Sequence, residues 1–308
     1  MITVQNISKY DKKEPTAVTI GTFDGLHIGH MKILDRLIKS ADALGLKSMV
    51  LTFFPHPRMV LQQDAHIQLL NTIDEKIDIL ERTGLDYLII HPFTKAFSRL
   101  SARDFVQDIL VNELRTKKII IGYDHRFGRN RNANINDLEA FGNALDFQVE
   151  EIPVQEVDEV SVSSTKIRKA LEKGDVRTAN AYLGYEYMLT GTVKKGRGLG
   201  RQLGFPTANL TIAENYKLIP KNGVYAVKSA LKGQPTYGMM NIGYNPTVPG
   251  SGTERTIEIH FFDFDQDLYD QKILIDILEW IREEEKFDSL QDLKAQLQND
   301  KLTVLARI

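Results

Sequence analysis

In the first half of the chain, short apolar runs alternate with longer amphipathic stretches, and this order restricts the fold more than any other feature. Buried strands are predicted for the runs AVTIGTF, KSMVLTF, DYLIIHPF and KKIIIGY. Helices are predicted between them, for MKILDRLIKSADALG, TIDEKIDILERTG and SARDFVQDILVNEL. Such alternation is typical of a doubly wound parallel sheet. Since the ligand crevice of that fold lies beyond the carboxyl ends of its strands, we expect chemistry in the loops after Phe23, Phe53 and Tyr123.

The pattern changes near residue 185, where short β-rich segments replace the long amphipathic stretches. These segments are YMLTGTV, GVYAVKSAL, TYGMMNIG, TIEIHFF and KILIDILEWI, separated by Gly and Pro turns. They are typical of a small antiparallel barrel or sandwich. The stretch SLQDLKAQLQND predicts a closing amphipathic helix. We place the domain boundary near Gly184, which gives domains of residues 1–184 and 185–308.

Length and composition exclude several classes of protein. A chain of 308 residues is long for one compact core, so two domains are expected. No run approaches the ~20 apolar residues of a membrane helix, and the first residues lack the features of a secretory signal. The absence of cysteine excludes disulfides and thiolate chemistry. A chain without cysteine fits a cytoplasmic protein, and a net charge of −2 offers no general attraction to nucleic acid. We therefore expect neither a membrane nor a nucleic acid as partner.

The segment GTFDGLHIGH, from Gly21 to His30, leads from the first predicted strand into the first helix. His27 and His30 lie three residues apart where the helix begins, so both can face the crevice. Backbone N–H groups at a helix start favour phosphate, neutral imidazoles add directed donors, and Gly29 leaves room for a nucleotide. Capping or surface histidines remain the alternative. Zinc is disfavoured because no third ligand lies nearby at metal-site spacing.

A second cationic segment, SSTKIRKALEKG, starts another predicted helix far downstream. Ser163, Ser164 and Thr165 can cap this helix, while Lys166 and Arg168 place positive charge near its N-terminus. Taken alone, the segment is most often an ordinary helix cap with solvated charges.

The segment GRGLGRQLGFPTANL, from Gly196 to Leu210, combines four glycines with two arginines. Such a loop can wrap phosphates, although a plain glycine turn or an RNA-contacting loop is the alternative. If PTAN is extended, Thr207 and Asn209 point to the same side. Neighbouring oxygen ligands suit a Mg²⁺ ion that bridges ATP phosphates.

Glu258 lies in the predicted strand TIEIHFF, where alternation puts Ile257 and Ile259 on one face and leaves Glu258 and His260 on the other. A glutamate on a strand is usually solvated, because charged residues are seldom buried. Taken alone, the pattern therefore favours a solvated Glu258.

GTFDGLHIGH together with SSTKIR resembles the two halves of the active site in the nucleotidyltransferase superfamily. There the histidines and the second loop hold the triphosphate of ATP or CTP while a substrate phosphate attacks the α-phosphorus. Positioning and charge neutralisation carry such a reaction. The letters HIGH also occur in class I aminoacyl-tRNA synthetases, but SSTKIR replaces their KMSKS loop and no basic anticodon domain is visible.

Over nearly its whole length the chain resembles the bifunctional riboflavin kinase/FMN adenylyltransferases of bacteria, also called prokaryotic FAD synthetases. The shared motifs, in family order, are GTFDGLHIGH, FPHP, GYDHRFG, SSTKIR, GRQLGFPTANL, NIG and IREEEKFDS. GFPTANL is close to diagnostic of the flavokinase module. The resemblance implies an N-terminal doubly wound adenylyltransferase and a C-terminal β-barrel kinase. It also implies ATP and Mg²⁺ at both sites, with riboflavin, FMN and FAD as the flavins.

The resemblance further implies roles for individual residues. Adenylyl transfer would use His27, His30 and Arg168 as catalytic residues, with nucleotide contacts from Gly21, Phe23, Gly29, Asp124, Ser164 and Thr165. In the kinase, Glu258 would be the base, Thr207 and Asn209 would bind Mg²⁺-ATP, and phosphate contacts would come from Gly196, Arg201 and Gly204. Flavin contacts would come from Phe54, Pro55, His56, Pro57 and Arg282.

The sequence departs from the usual family pattern at Phe54, His125, Asn245 and Asp270, which bears on flavin affinity and on the relative rates of the two reactions rather than on the reaction class. Another small-molecule nucleotidyltransferase, of the phosphopantetheine or glycerol-phosphate type, is an alternative, but it has no reason to carry GFPTANL. A non-catalytic flavin-binding or regulatory protein is a second alternative. The intact His27/His30, Thr207/Asn209 and Glu258 sets argue against it.

Overall fold

The computed structural model describes residues 1–12, 14–62, 67–122, 126–152, 162–196, 198–244 and 255–308. They form two compact units, Met1–Ser163 and Ser164–Ile308. Across these ranges, no helix has both the length and the apolar character needed to cross a membrane.

The first unit is built on a six-stranded sheet in which every pairing is parallel. Its strands are β1 (Ile2–Gln5), β2 (Thr16–Ile20), β3 (Lys47–Phe53), β4 (Tyr87–His91), β5 (Thr116–Gly122) and β6 (Gln148–Ile152). Their spatial order is β1-β4-β3-β2-β5-β6. The order reverses between β2 and β5, and a ligand of a doubly wound sheet binds at such a reversal. The loop that follows β2 therefore opens at the expected crevice.

Helices connect these strands. They are α1 (Ile28–Leu44), α2 (Pro57–Leu61), α3 (Ile73–Glu81), α4 (Ala102–Asp104, continuing as a π-helix over Phe105–Glu113) and α5 (Ile135–Leu145), with 3₁₀ turns at Ile7–Lys9, Phe97–Arg99 and Arg129–Arg131. Helix α1 ends at Gly45, whose φ of 65° suits a residue without a Cβ. A capping box of Thr72 and Glu75 starts α3.

The predicted parallel α/β fold is confirmed, with local differences. The predicted strand AVTIGTF ends at Ile20, so Gly21 begins the loop. Helix α3 ends at Glu81 rather than beside Gly84, which has a positive φ in the turn that follows. The two edge strands, β1 and β6, were not predicted. Each is short and has mostly exposed or half-exposed residues, which carry little hydrophobic signal.

The second unit contains a closed six-stranded barrel with antiparallel pairing throughout. Its strands are β7 (Tyr187–Lys194), β8 (Ala208–Thr211), β9 (Gly223–Leu231), β10 (Gln234–Tyr244), β11 (Arg255–Phe261) and β12 (Lys272–Arg282). Around the barrel they run β10-β11-β8-β7-β12-β9. Fully buried side chains, among them Tyr225, Met240 and Ile259, fill its interior. The predicted β-barrel is confirmed.

The helices of the second unit are α6 (Ser164–Lys173), α7 (Val176–Leu183), α8 (Leu199–Leu203) and α9 (Leu290–Leu305). Helix α7 packs on β12, where Asn180 Nδ2 donates to the carbonyl of Ile277 at 2.9 Å. Both α6 and α7 thus belong to the unit that contains the barrel. The domain boundary near Gly184 stays a prediction.

Helix α9 covers part of the barrel's outer face. Its residue Val304 is fully buried in a cluster with Phe205, Val224, Ala226, Met239 and Phe262. Leu297 packs against the same cluster, whereas Leu290 at the helix start is exposed. The amphipathic helix is therefore confirmed, but only its later turns contribute to the core.

A buried ion pair ties α9 to β12. The guanidinium of Arg282 donates from Nε and Nη2 to the two carboxylate oxygens of Asp300, each at 2.8 Å. Asp300 is only 2% exposed. Both groups have given up water for this bidentate contact, so each depends on the other.

Replacing Asp300 with Ala should destabilise the second unit by about 3 kcal/mol, because it leaves a partly buried guanidinium unpaired. Denaturant unfolding followed by the fluorescence of Trp280 measures this. Glu283→Ala is the matched control, since Glu283 forms a solvent-exposed pair with Lys221 and its loss should have little effect. Equal effects of the two variants would show that the buried pair contributes no more to the free energy of unfolding than the exposed pair.

Two candidate active sites

The first site is built at the junction between β2 and α1. His27 caps α1 and accepts the backbone N–H of His30 on its Nδ1 at 3.4 Å. An imidazole that accepts on Nδ1 carries its proton on Nε2, so His27 presents an N–H donor at the other end of the ring. The helix start adds backbone N–H groups that favour an anion.

The two histidine rings are stacked, with centroids 3.7 Å apart and an angle of 16° between the planes. Burial lowers the pKa of His27 to about 4. Burial, together with His27 and Lys76, also holds the pKa of His30 well below its ordinary value. Both rings are therefore neutral at pH 7 and act as directed hydrogen-bond groups rather than as cations.

One atom of this pair has no hydrogen-bond partner among the described residues. Nδ1 of His30 is shielded from solvent and makes no hydrogen bond to any part of the chain that the structure describes. Buried polar atoms in folded proteins are nearly always paired. An unpaired ring nitrogen beside a helix start is consistent with a group that meets a ligand.

The loop between β2 and α1 has an unusual backbone. Phe23 and Leu26 have φ values of 45° and 39°, a region that side chains with a Cβ rarely adopt. Each such residue costs on the order of 1–3 kcal/mol and is typical of functional loops. A Cβ on Gly21 would lie 3.1 Å from Cε2 of Phe23, so glycine lets the Phe23 ring fold back onto the strand end.

Other residues predicted for this site have different outcomes. Asp124 lies outside the described residues. Ser164, Thr165 and Arg168 occupy the first turns of α6 in the second unit, as the predicted helix start requires. Their contact with the nucleotide stays a prediction.

The FPHP segment follows β3. Phe54 packs into the apolar cluster that contains Phe23 and Leu26. Pro57 begins α2, and His56 caps it by accepting the N–H of Arg58 on Nδ1 at 3.1 Å. The structure gives these residues local roles in the turn, and their contact with flavin stays a prediction.

An aromatic cluster at the ends of β3 and β4 was not predicted. Phe97 contacts Phe53 and His91, with ring centroids 5.5 and 4.6 Å apart, and Phe93 at 5.8 Å. All four are half-buried at the carboxyl edge of the sheet. The sequence signal was an aromatic residue at or just after two successive strand ends.

The second site is a polar row across the barrel. The strand register pairs Lys194 with Asn209, Asn209 with Glu258, and Glu258 with Asn241. Directly paired residues point to the same face, about 4.5–5.5 Å apart at Cβ. Continuing through Val224, the row reaches Arg282 on β12. Residues from separate motifs thus meet on one surface, and Asn241 of the NIG motif is a member that sequence reasoning left without a role.

Thr207, Asn209 and Glu258 bring oxygen atoms together. The hydroxyl of Thr207 lies 3.4 Å from Oε2 of Glu258. A Cβ on Gly196 would overlap the side chain of Asn209, so the backbone of Gly196 lies directly against this row. Hydroxyl, amide and carboxylate oxygens are the ligands that Mg²⁺ prefers.

Helix α8 and the turn after it shape the same segment. Gly204 ends α8 with φ of 87°, and a Cβ on Gly200 would overlap the carbonyl of Phe205. His260, buried on the face of Glu258, fixes the turn through a 2.9 Å contact between Nδ1 and the carbonyl of Pro206. Arg201 of α8 is exposed. Whether Gly196, Arg201 and Gly204 contact phosphate stays a prediction.

The guanidinium of Arg282 is occupied by Asp300 and by the carbonyl of Glu283. It thereby anchors α9 beside the polar row. Its contact with flavin stays a prediction.

Both parts of the chain match families of known proteins. A family model described as FAD synthetase matches residues 9–166, and one described as riboflavin kinase matches residues 183–307. The relative from Haemophilus influenzae is 38% identical over 291 residues, covering 94% of this chain and 93% of its own. That from Escherichia coli is 35% identical over 301 residues, covering 97% and 95%. Both are named bifunctional riboflavin kinase/FMN adenylyltransferase.

The chain belongs to this family. A solved structure described as a macrolide-efflux protein from Streptococcus pneumoniae superimposes with a TM-score of 0.89 at 30% identity, covering 99% of each chain. The fold is thus shared over nearly the full length. The stacked histidines lie within the residues matched by the FAD synthetase model, and the polar row lies within those matched by the riboflavin kinase model.

The buried histidine makes stability depend on pH. His27 has a pKa of about 4 when folded against 6.5 for the free side chain. Its contribution is complete above pH 6.5 and is lost as the pH falls toward 4, because the unfolded chain binds the proton first. At about 1.4 kcal/mol per unit, the loss amounts to about 3 kcal/mol.

Unfolding midpoints measured between pH 7 and pH 4 test this expectation. His27→Asn keeps a helix cap but cannot titrate, so the stability of that variant should fall less steeply over this range. Parallel curves for the two proteins would mean that His27 titrates normally in the folded state.

Proposed function

We propose that the stacked histidines of the first unit catalyse transfer of the adenylyl group of ATP to FMN, and that the polar row of the second unit catalyses phosphorylation of riboflavin. Family membership supports the pair of reactions. The arrangement of His27 and His30 at a helix start supports the assignment of the first, and the register that surrounds Glu258 supports the second.

In adenylyl transfer, an oxygen of the FMN phosphate forms a bond to the α-phosphorus of ATP while the bond to the β-phosphate oxygen breaks and pyrophosphate leaves. No covalent bond to the protein is required, so catalysis depends on position and on donors that meet developing charge. His27 supplies its Nε2–H and the start of α1 supplies backbone N–H groups. Because both imidazoles are neutral at pH 7, they donate without needing a counter-ion.

Asp124, Ser164, Thr165 and Arg168 are proposed to contact the nucleotide in adenylyl transfer, with Arg168 supplying positive charge. The planar flavin ring lies near the carboxyl ends of β3 and β4, where the FPHP segment and the aromatic cluster around Phe97 offer apolar surface.

Incubation with riboflavin and Mg²⁺-ATP, followed by chromatography, should reveal FMN and then FAD. Replacing His27 or His30 with Ala should lower the rate of FAD formation by about 10²-fold, the usual cost of losing one donor to the transition state. FMN formation in the same sample should hardly change, because Glu258 lies in the other unit.

The two rates measured together separate catalysis from folding. A matching loss of kinase activity would show that the substitution had damaged the protein generally. Unchanged FAD formation would contradict the role assigned to the histidine.

In riboflavin phosphorylation, the ribityl 5′-hydroxyl attacks the γ-phosphorus, the bond to the bridging β–γ oxygen breaks, and ADP leaves. We propose that Glu258 accepts the hydroxyl proton. Its half-buried position between Asn209 and Asn241 restricts the carboxylate to the outer face of the barrel. Gly196, Arg201 and Gly204 are proposed to contact the phosphates from the segment above this row.

The oxygen atoms of Thr207 and Asn209 fit a hard cation. These two residues are proposed to hold Mg²⁺, which when bound neutralises charge on the ATP phosphates. The 3.4 Å separation between Thr207 and Glu258 keeps the metal ligand and the base as neighbours.

Glu258→Gln preserves the shape of the side chain and removes the base. It should lower kcat for FMN formation by roughly 10²–10⁴-fold, while riboflavin binding and FAD formation from supplied FMN persist. Initial rates with each flavin measure this. Thr207→Ala should instead raise the KM for Mg²⁺-ATP.

Glu279→Gln is the matched control, because Glu279 is a glutamate on β12 that pairs with Arg177 and Arg307. It should leave turnover unchanged. Near-normal kinase turnover of Glu258→Gln would place the base elsewhere.

A further inference from the structure

Lys76 is a charged side chain in an apolar place. It lies on α3, on the face where Ile73, Ile77 and Leu80 pack toward the sheet. The residue is only 6% exposed. Lysine is almost never buried without a partner, so the contact that it makes should matter.

That contact is with the loop of the first site. The Lys76 ammonium donates to the backbone carbonyl of Thr22 at 2.5 Å. The hydroxyl of Thr52, at the end of β3, lies 3.4 Å from the same carbonyl. Burial lowers the pKa of Lys76 to about 8, against the opposing effect of Asp24. The side chain is thus mostly protonated at pH 7 and forms a charge-assisted hydrogen bond.

The carbonyl that Lys76 holds directly precedes the strained part of the loop. Phe23, the next residue, has φ of 45° and Leu26 has φ of 39°. Between them, the buried carboxylate of Asp24 accepts the backbone N–H of Leu70 at 2.9 Å. A backbone in this region persists only when its surroundings determine it. Lys76 holds this backbone from α3, and Asp24 holds it through Leu70, which precedes α3.

The strained residue in turn contacts the histidines. The ring of Phe23 meets the ring of His30 edge to face, with centroids 5.2 Å apart. His30 is stacked on His27 at 3.7 Å. A continuous series of contacts therefore runs from the ammonium of Lys76 through Thr22 and Phe23 to the proposed phosphate donors.

We propose that Lys76 is a positioning residue for adenylyl transfer, which fixes the loop from Gly21 to His27 so that the two imidazoles stand in register with the nucleotide. This inference rests on the proposed function of the histidines. Lys76 acts from behind the loop, through Thr22, and not by contact with the reacting phosphates. A displacement of about 1 Å at a reacting centre can cost 10²-fold in rate.

The test compares Lys76→Met with Lys76→Gln. Methionine has similar length but no donor, and it removes a buried charge whose desolvation opposes folding. Gln retains an N–H donor on a shorter side chain. For Lys76→Met we expect kcat for FAD formation to fall by about 10²-fold, with KM for ATP and FMN changed less than about threefold. Lys76→Gln should retain more of the rate.

Riboflavin kinase activity and the thermal unfolding midpoint are measured on the same samples, and both should be unchanged in Lys76→Met. Lys118→Met is the matched control, because Lys118 is another largely buried lysine of the first unit whose partner is Glu150 at 2.6 Å. It should retain the full rate of FAD formation.

Several results would overturn the proposal. These are normal kcat in Lys76→Met, an equal loss in Lys118→Met, or a rise in KM alone, which would make Lys76 a binding residue. Lys76→Leu repeats the experiment if the Met variant does not fold, and failure of both to fold would make the lysine a structural residue. Wild-type protein that formed no FAD would contradict the proposed function itself, before any variant is compared.

Discussion

Strand register is the constraint on which both sites depend. In the barrel, Glu258 faces Asn209 on one side and Asn241 on the other only because the three strands pair as they do. A slip of one residue would turn Glu258 into the interior, among the fully buried side chains, and bring Ile259 to the surface. The cost of burying an unpaired carboxylate therefore protects the arrangement. In the parallel sheet, the register of β2 with β3 likewise brings the carbonyl of Thr22 within reach of Thr52.

The two proposed sites would meet the same chemical requirement in different ways. Phosphoryl and nucleotidyl transfer need little covalent chemistry from a protein and much accurate placement. In the first unit, placement comes from a backbone held out of its preferred conformation, with neutral rings stacked at a helix start. In the second, it would come from regular strands whose polar side chains form a row, with Gly196 lying against Asn209 of that row.

Sequence reasoning predicted most of the fold because its signals are local. Apolar runs predicted the first and last residues of β3 and β9 correctly, and Gly45 predicted the end of α1. The paired histidines were found from their position where a predicted strand leads into a helix, whereas Glu258 became a candidate only through the family resemblance. Their roles in catalysis remain predictions, since the geometry shows neighbours rather than a reaction.

What the sequence could not provide depends on contacts between distant residues. In the sequence, Lys76 is one of several charged residues of TIDEKIDILE. Only the packing of α3 shows that its side chain is buried on the apolar face of the helix and reaches Thr22. Arg282 illustrates the same point, because its partner Asp300 lies on another element. A motif identifies which residues recur together, but it does not say which of them hold a ligand and which hold the fold.

Asp270 is a departure from the family pattern that the structure explains. The resemblance leads one to expect glycine here, and the structure gives Asp270 a φ of 58°, the region that favours glycine. Aspartate tolerates this conformation better than most side chains, and its carboxylate pairs with Lys194 at 2.7 Å. Lys194 is the first member of the polar row. The substitution therefore leaves the turn intact while it adds a negative charge beside Lys194. Lys194 lies two strands away from Glu258 in the row. Its effect should fall on the electrostatic potential at that end of the row rather than on the position of Glu258.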